Sequence, residues 1–568
     1  MMTEAVAPLR RRETEHAIAR MSRASMSRTS RWIRALLVLT VSAPALADTY
    51  AVVNTADAGA GSLRQAITAA NAKQVTNGSQ CAPHTITFNI PGAGPHTIRP
   101  LSPLPRINIP ITFNGYSQPG ASQNTLAQGS DAVIAIELDG SLAGNADAFV
   151  IGAAIPGSSL CPGTGSIIRG LVINRFTGAA ISMGEEACPP NATCTVGGVL
   201  IQGNYIGTDV TGALARGNGS GRPALVFGTS SSFNVVGDQV LAEGGPSDPL
   251  PQSRNVISGN GADAILIAST SSDAANGLSQ AHTIRNNIIG LDANGSAALP
   301  NGGRGIEVGV NGSGIAIHDN LISANAGDGV AILDSPFPGT AVIGNGIGIG
   351  FDAQAFGNGG HGVLVAGGST GVTVGARFRF APTTASIANN AGAGLFIDGM
   401  ATVDAGNLSS AHNGGLALDI APAGVNPNDA GDADIGPNEL LNRPVISSAT
   451  TNPTTLSGSI AGSISAAPGS NYEIHFFIND ACDAGGFGGG QVLYALNPPP
   501  GFVNVTTDAS GNAGFTRAVQ FLPQGKWLTA LARRFSTTSA LPALIVSEFS
   551  NCMQIAASGD VIFANGFE

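Results

Sequence analysis

The chain predicts an all-β protein, a parallel β-helix followed by a small antiparallel β-sandwich, and three observations carry the prediction. A short apolar unit recurs, as Gly303-Arg304-Gly305-Ile306-Glu307-Val308, Gly327-Asp328-Gly329-Val330-Ala331-Ile332 and Gly360-His361-Gly362-Val363-Leu364-Val365. Each copy is a turn and a three-residue strand. Strand side chains alternate between faces, so Ile306, Val308, Val330, Ile332, Val363 and Val365 point inward, and Glu307, Ala331 and Leu364 outward. One coil buries almost nothing, whereas stacked coils bury an aliphatic column worth about 1.5–3 kcal/mol per fully covered side chain. Composition agrees: 78 Gly in 568 residues, 43% hydrophobic, 11% charged and 5% aromatic, suit many short strands and tight turns rather than a helical enzyme or a disordered tail. Finally, the pattern changes near residue 426, after which the strands lengthen.

Taken in order, residues 1–47 read as an export signal. Arg28, Arg31 and Arg34 precede the apolar run Ala35-Leu36-Leu37-Val38-Leu39, and Ala45-Leu46-Ala47 supplies small residues at the cut. The run is too short to span a bilayer. Residues 48–132 hold a first strand, a cap and the first coils. Ser62 with Gln65 forms a capping box, and Leu63, Ala66, Ile67 and Ala70 make one apolar stripe, so a short helix ending at Asn71 covers the open end of the first coil.

Coils fill residues 133–425. The aligned turns at Gly305, Gly329, Gly362, Gly394 and Gly415 are 24, 33, 32 and 21 residues apart, so the longer intervals carry loops on the wall. A second strand type, Asn287-Ile288-Ile289 and Asn320-Leu321-Ile322, places Asn where the chain must bend. Residues 426–442 form an acidic, Pro-bounded linker, and residues 443–558 alternate polar and apolar positions over longer strands such as 472–478 and 527–532, as a sandwich does. Residues 559–568 resemble a short terminal tag of exported Gram-negative proteins.

Gly61-Ser62-Leu63-Arg64-Gln65-Ala66 resembles the Cys-Ser-Leu-Arg-Glu-Ala motif of exported bacterial right-handed β-helix proteins of the pectin-lyase-like fold, with Gly61 for Cys and Gln65 for Glu. The stretches 88–92 and 113–120 are similar to the segments downstream of that motif in those proteins, and Ile206-Gly207-Thr208-Asp209, Ile289-Gly290-Leu291-Asp292 and Ile349-Gly350-Phe351-Asp352 resemble their Ile-Gly-Thr-Asp loop. The resemblance implies a right-handed coil and a place outside the cell or on the outer surface of a Gram-negative bacterium. It is nearly silent about chemistry.

Eight of the 26 basic and three of the 37 acidic residues precede position 48, so the remainder carries a net charge of about −16. Such a surface repels nucleic acid and anionic membranes. All six cysteines come after the signal, in a compartment that permits disulfides; Cys188 pairs with Cys194, Cys482 with Cys552, and Cys81 with Cys161.

Two constellations could carry chemistry. The turn column Asp263, Arg304, Asp328 and His361 places charged side chains on coils about 4.8 Å apart, either as a weak catalytic set or as an alternating-charge ladder. Gly360-His361-Gly362 is similar to the Gly-His-Gly of polygalacturonases, yet no Asp-Asp pair accompanies it. A lyase needs a strong base, and Lys73 and Lys526 are the only lysines, both outside the coils. Asn428, Asp429, Asp432 and Asp434 offer hard oxygen donors within seven residues, a candidate calcium loop that lacks the spacing of an EF-hand. No other cofactor is implied. The expected function is therefore that of a monomeric, exported, non-catalytic wall for polysaccharide or surface-protein contacts. The alternative is a polysaccharide lyase or glycoside hydrolase acting on that wall.

Overall fold

The computed structural model describes residues 47–558 except 74–75, 78–79, 82, 153–162, 185–195, 240–248, 268–278, 311, 376–378, 380–384, 484, 497–500 and 540–541. Nearly all of the export signal, the terminal tag, Cys161, Cys188, Cys194 and the Cys81 side chain lie outside the described residues.

Among the described residues, three long parallel sheets of eleven, eight and nine strands form the β-helix, with a fourth of four two-residue strands along one turn. One coil visits the first sheet at Thr283–Arg285, the second at Ile288–Ile289 and the third at Ile306–Val308, then returns to the first at Ala316–His318. In the third sheet Ile306 pairs with Val330, Val330 with Val363 and Val363 with Leu395, so the inward aliphatics stack in register. All six inward residues expected from the repeat are fully buried. The second Gly of each turn is required by this stacking. A Cβ on Gly305 would sit 2.5 Å from the Gly329 carbonyl oxygen, and one on Gly329 2.6 Å from that of Gly362.

Glu307, Ala331 and Leu364 stand in register on the outer face, as alternation requires. Glu307 and Leu364 are half-buried on the outer face, but Ala331 is fully covered. In the ladder it lies between those two residues.

The asparagines do more than turn the chain. In the second strand type the bend falls on the preceding residue, Asn286 at φ 65° or Asp319 at φ 54°, and the Asn stacks behind it. Asn204, Asn255, Asn287, Asn320 and Asn345 form one buried ladder, each amide donating to the next side-chain carbonyl at 2.9–3.1 Å. A second runs through Asn218, Asn260, Asn301, Asn325, Asn358, Asn390 and Asn413 at 2.8–3.1 Å.

The helix Leu63–Ala72 buries Leu63, Ala66, Ile67 and Ala70, the expected stripe, in one cluster with Val52 and Ile86 of the first coil. Ser62 caps Gln65 N, while Gln65 reaches back to the N–H of Gly61 instead of that of Ser62.

The second sheet's outer face is apolar, with Val172, Tyr205, Val256, Ile288 and Leu321 in one row. The Ile-Gly-Thr-Asp-like loops fold over this row, closed by the bridges Thr208 to Ala215, Leu291 to Ala298 and Ile349 to Ala355, and Leu291, Ala293, Ile349 and Phe351 join its cluster. Arg254, 2% exposed, holds another covering loop by donating to the carbonyls of Leu126, Ala127 and Gly129. That face is therefore closed, whereas the third sheet leaves part of its outer row exposed.

The carboxyl-terminal strands form two sheets, mostly antiparallel. Val445–Asn452, Ser457–Ser465 and Asn512–Val519 make one, and Asn471–Asn479 and Trp527–Phe535 centre the other. Cys482 and Cys552 form the expected disulfide, with Cα atoms 5.9 Å apart. These sheets close the far end of the coils: Phe477, Leu531, Val546 and Phe549 share the coil core. Asn438, fully buried, donates to the carbonyls of both Val403 in the last coil and Val546 at 2.9 Å. Arg533 grips Asp404 through Nε at 3.0 Å and Nη2 at 2.7 Å.

Candidate functional site

The turn column stands on the third sheet, two residues before each inward strand residue. Most of its acceptor atoms are committed to the fold. Asp263 Oδ1 accepts from Arg304 N at 2.6 Å, Asp328 Oδ1 from His361 N at 2.8 Å, and His361 Nδ1 from Ala393 N at 3.0 Å. Asp263, Asp328 and His361 thus each cap the N–H of their equivalent on the next coil. The Arg304 Nε is 3.1 Å from Asp328 Oδ2, and its Nη1 pairs with Glu307. Burial pulls the Arg304 guanidinium down, but Glu307 and Asp328 together hold it above its ordinary range. Of the four predicted residues, Arg304 and Asp328 meet directly, and Asp263 and His361 join through backbone. A general base needs a lone pair turned to substrate, and both Asp328 oxygens and His361 Nδ1 are already engaged.

Beside this column runs the outer row of which the repeat marked Glu307, Ala331 and Leu364. In register on the outer face are Val150, Ser182, Val226, Leu266, Glu307, Ala331, Leu364, Phe396 and Asp419. The row is mostly apolar, and Leu266, Leu364 and Phe396 remain partly exposed. His361 stacks on Phe396, with ring centroids 4.7 Å apart and planes 8° from parallel, making a flat aromatic step. Asp419 ends the row; burial raises its carboxyl, opposed by the Gly424 N–H at 3.0 Å and by His361. The middle residue of each short strand was the signal; outside the three repeats its varied chemistry hides the rest of the row.

A buried Ser231, Ser279 and His282 cluster was also unforeseen. His282 Nε2 lies 3.2 and 3.0 Å from the two hydroxyls, while Nδ1 accepts from Asn234 N at 3.2 Å. Burial pushes the imidazole down to about 3. The neutral ring therefore carries its proton on Nε2 and donates to serine, the reverse of what activating a nucleophile requires.

In the acidic segment, Asp429, Asp432 and Asp434 converge, with one carboxylate oxygen of each within 4.8 Å of the others. Asn428 is turned away, its amide donating to Arg443 O at 2.9 Å and accepting from Arg443 N at 3.0 Å. Burial raises the Asp432 carboxyl, with Asp429 and Asp434 adding to the effect against Asn442 and Arg534; burial and Asp429 raise Asp434. No family model and no curated protein matches this chain.

Proposed function

We propose that the chain is an exported β-helix protein whose third-sheet wall is a non-catalytic contact surface for a polysaccharide. The outward row ending in the Phe396 and His361 step carries this reading. Partly exposed aliphatic and aromatic side chains in line suit the flat apolar faces of sugar rings. The occupied acceptors of Asp263, Asp328 and His361 favour contact over turnover. Export to the cell surface or beyond accords with the Cys482 to Cys552 disulfide, since oxidising compartments preserve such bonds. The motif at residues 61–66 and its resemblance to right-handed pectin-lyase-like β-helices point the same way.

The test is titration of the purified chain with uronic-acid and neutral polysaccharides, with and without Ca2+, following heat and product together. Saturable binding that Phe396→Ala weakens, without new chain ends, is expected. New unsaturated or reducing ends, abolished by Asp328→Ala or His361→Ala, would establish a lyase or hydrolase instead.

A further inference from the structure

We infer that the segment joining the coils to the carboxyl-terminal sheets binds a divalent cation, Ca2+ by its donor chemistry, through Asp429, Asp432 and Asp434. One oxygen from each lies within 4.8 Å of the others. Oxygens that share a Ca2+ at 2.3–2.6 Å stand at most about 5 Å apart, so the three side chains already fit one coordination shell.

A second observation is independent of the clustering. The Asp432 side chain is 0% exposed, and its Oδ2 accepts no hydrogen bond. A buried carboxylate oxygen without a donor is costly, and a cation is one of few remedies. Arg534 is only a partial one. Its Nη2 stands 3.6 Å from Asp432 Oδ2 and gives its hydrogen bond, at 2.7 Å, to Glu439 Oε2. Asp432 and Glu439 share the Arg534 guanidinium, and Asp429 and Asp434 add two carboxylates beside Asp432, an excess of negative charge that a divalent ion would largely cancel.

The donors are all hard oxygens, which disfavours zinc and copper, and Asp434 is exposed, leaving room for water ligands. A partly exposed set on an irregular loop suits Ca2+ better than Mg2+, which demands near-octahedral geometry. The ion would also stiffen the junction. Asn442 donates its N–H to Asp432 Oδ1 at 2.8 Å, and its amide to Asp429 O at 2.8 Å and to Ser465 O in the sandwich at 2.9 Å.

The experiment uses the full chain, stripped with EGTA and titrated with CaCl2 by calorimetry and with Tb3+ by luminescence, alongside thermal unfolding. One saturable site and a Tm raised by Ca2+ are expected, with affinity falling about tenfold or more in both Asp432→Asn and Asp434→Asn. Because Asp434 is exposed, Asp434→Asn retains the fold, checked by circular dichroism. Absence of saturable binding, or unchanged affinity in Asp434→Asn, would overturn the inference. A Tm rise reproduced by KCl at equal ionic strength would do the same, by showing only screening of the acidic surface.

Discussion

Asn320→Ala tests whether the asparagine ladders hold the coils together. Asn320 is fully buried and makes four side-chain contacts. Its amide donates to Ile284 O at 2.8 Å and to Asn345 Oδ1 at 3.0 Å, and its Oδ1 accepts from Asn287 N at 3.0 Å and Asn287 Nδ2 at 2.9 Å. Alanine cannot replace any of them. Asn345 Oδ1 keeps the Asn320 backbone N–H at 2.9 Å, and Asn287 Nδ2 keeps Val236 O at 3.0 Å, so the main casualty is the Asn287 backbone N–H. One orphaned buried donor costs about 1–3 kcal/mol, and the other lost bonds add about 0.5–1.5 kcal/mol each where nothing replaces them. The expected loss is about 2–4 kcal/mol in urea unfolding. Gln128→Ala, at an exposed position, serves as control and should stay within about 0.5 kcal/mol of the parent. If Asn320→Ala is no more destabilising than that control, the ladder contributes nothing and the reasoning fails.

Val330→Asp puts an unpaired carboxylate among aliphatic side chains, and should cost more than about 4 kcal/mol or prevent accumulation of folded protein, read by circular dichroism. Replacing Cys482 and Cys552 with serine removes a link across seventy residues and should lower stability by about 2–4 kcal/mol; recovering the two peptides unlinked from unreduced parent protein would refute the premise. The Glu548 carboxyl is pushed up to about 7, chiefly by burial. Between its unfolded value near 4.5 and that figure, the folded chain holds a proton the unfolded chain has released, so stability falls as pH rises through this window. Glu548→Gln should flatten that part of the profile. The Glu439 carboxyl is opposed by burial yet held down to about 2 by Ser536, Thr538 and Arg534. Its stabilisation is complete above about pH 4.5 and fades as pH falls toward 2, and Glu439→Gln should remove that acid limb.

What could be read from the chain was whatever local pattern controls. Ser62 and the stripe from Leu63 to Ala70 specify the first helix because cap and periodicity lie within ten residues. The inward residues of each coil are set by alternation. Alternation set the face of Ala331 but not its exposure, which depends on packing between coils. The ladders escaped for a related reason: Asn287 and Asn320 lie 33 positions apart, and the loops between coils vary in length, so no fixed period exposes their stacking. Within the acidic segment, composition marked Asp429, Asp432 and Asp434, but only the fold shows Asn428 committed to Arg443. Asn438 bridges Val403 and Val546 across 35 and 108 residues, a role that no short stretch could signal.

The closed ends of the coil stack have a consequence for assembly. A parallel strand stack is in principle a growing polymer, since each finished coil presents the template for another, from this chain or from a second copy. The helix Leu63–Ala72 and the docked carboxyl-terminal sheets act as the two chain terminators of that polymerisation. Their loss would leave the contacts between coils in place, uncover the end coils, and change the valence of the molecule from zero to one per exposed end. Truncation after residue 420 should therefore yield head-to-tail oligomers or fibres of folded coils rather than unfolded monomer.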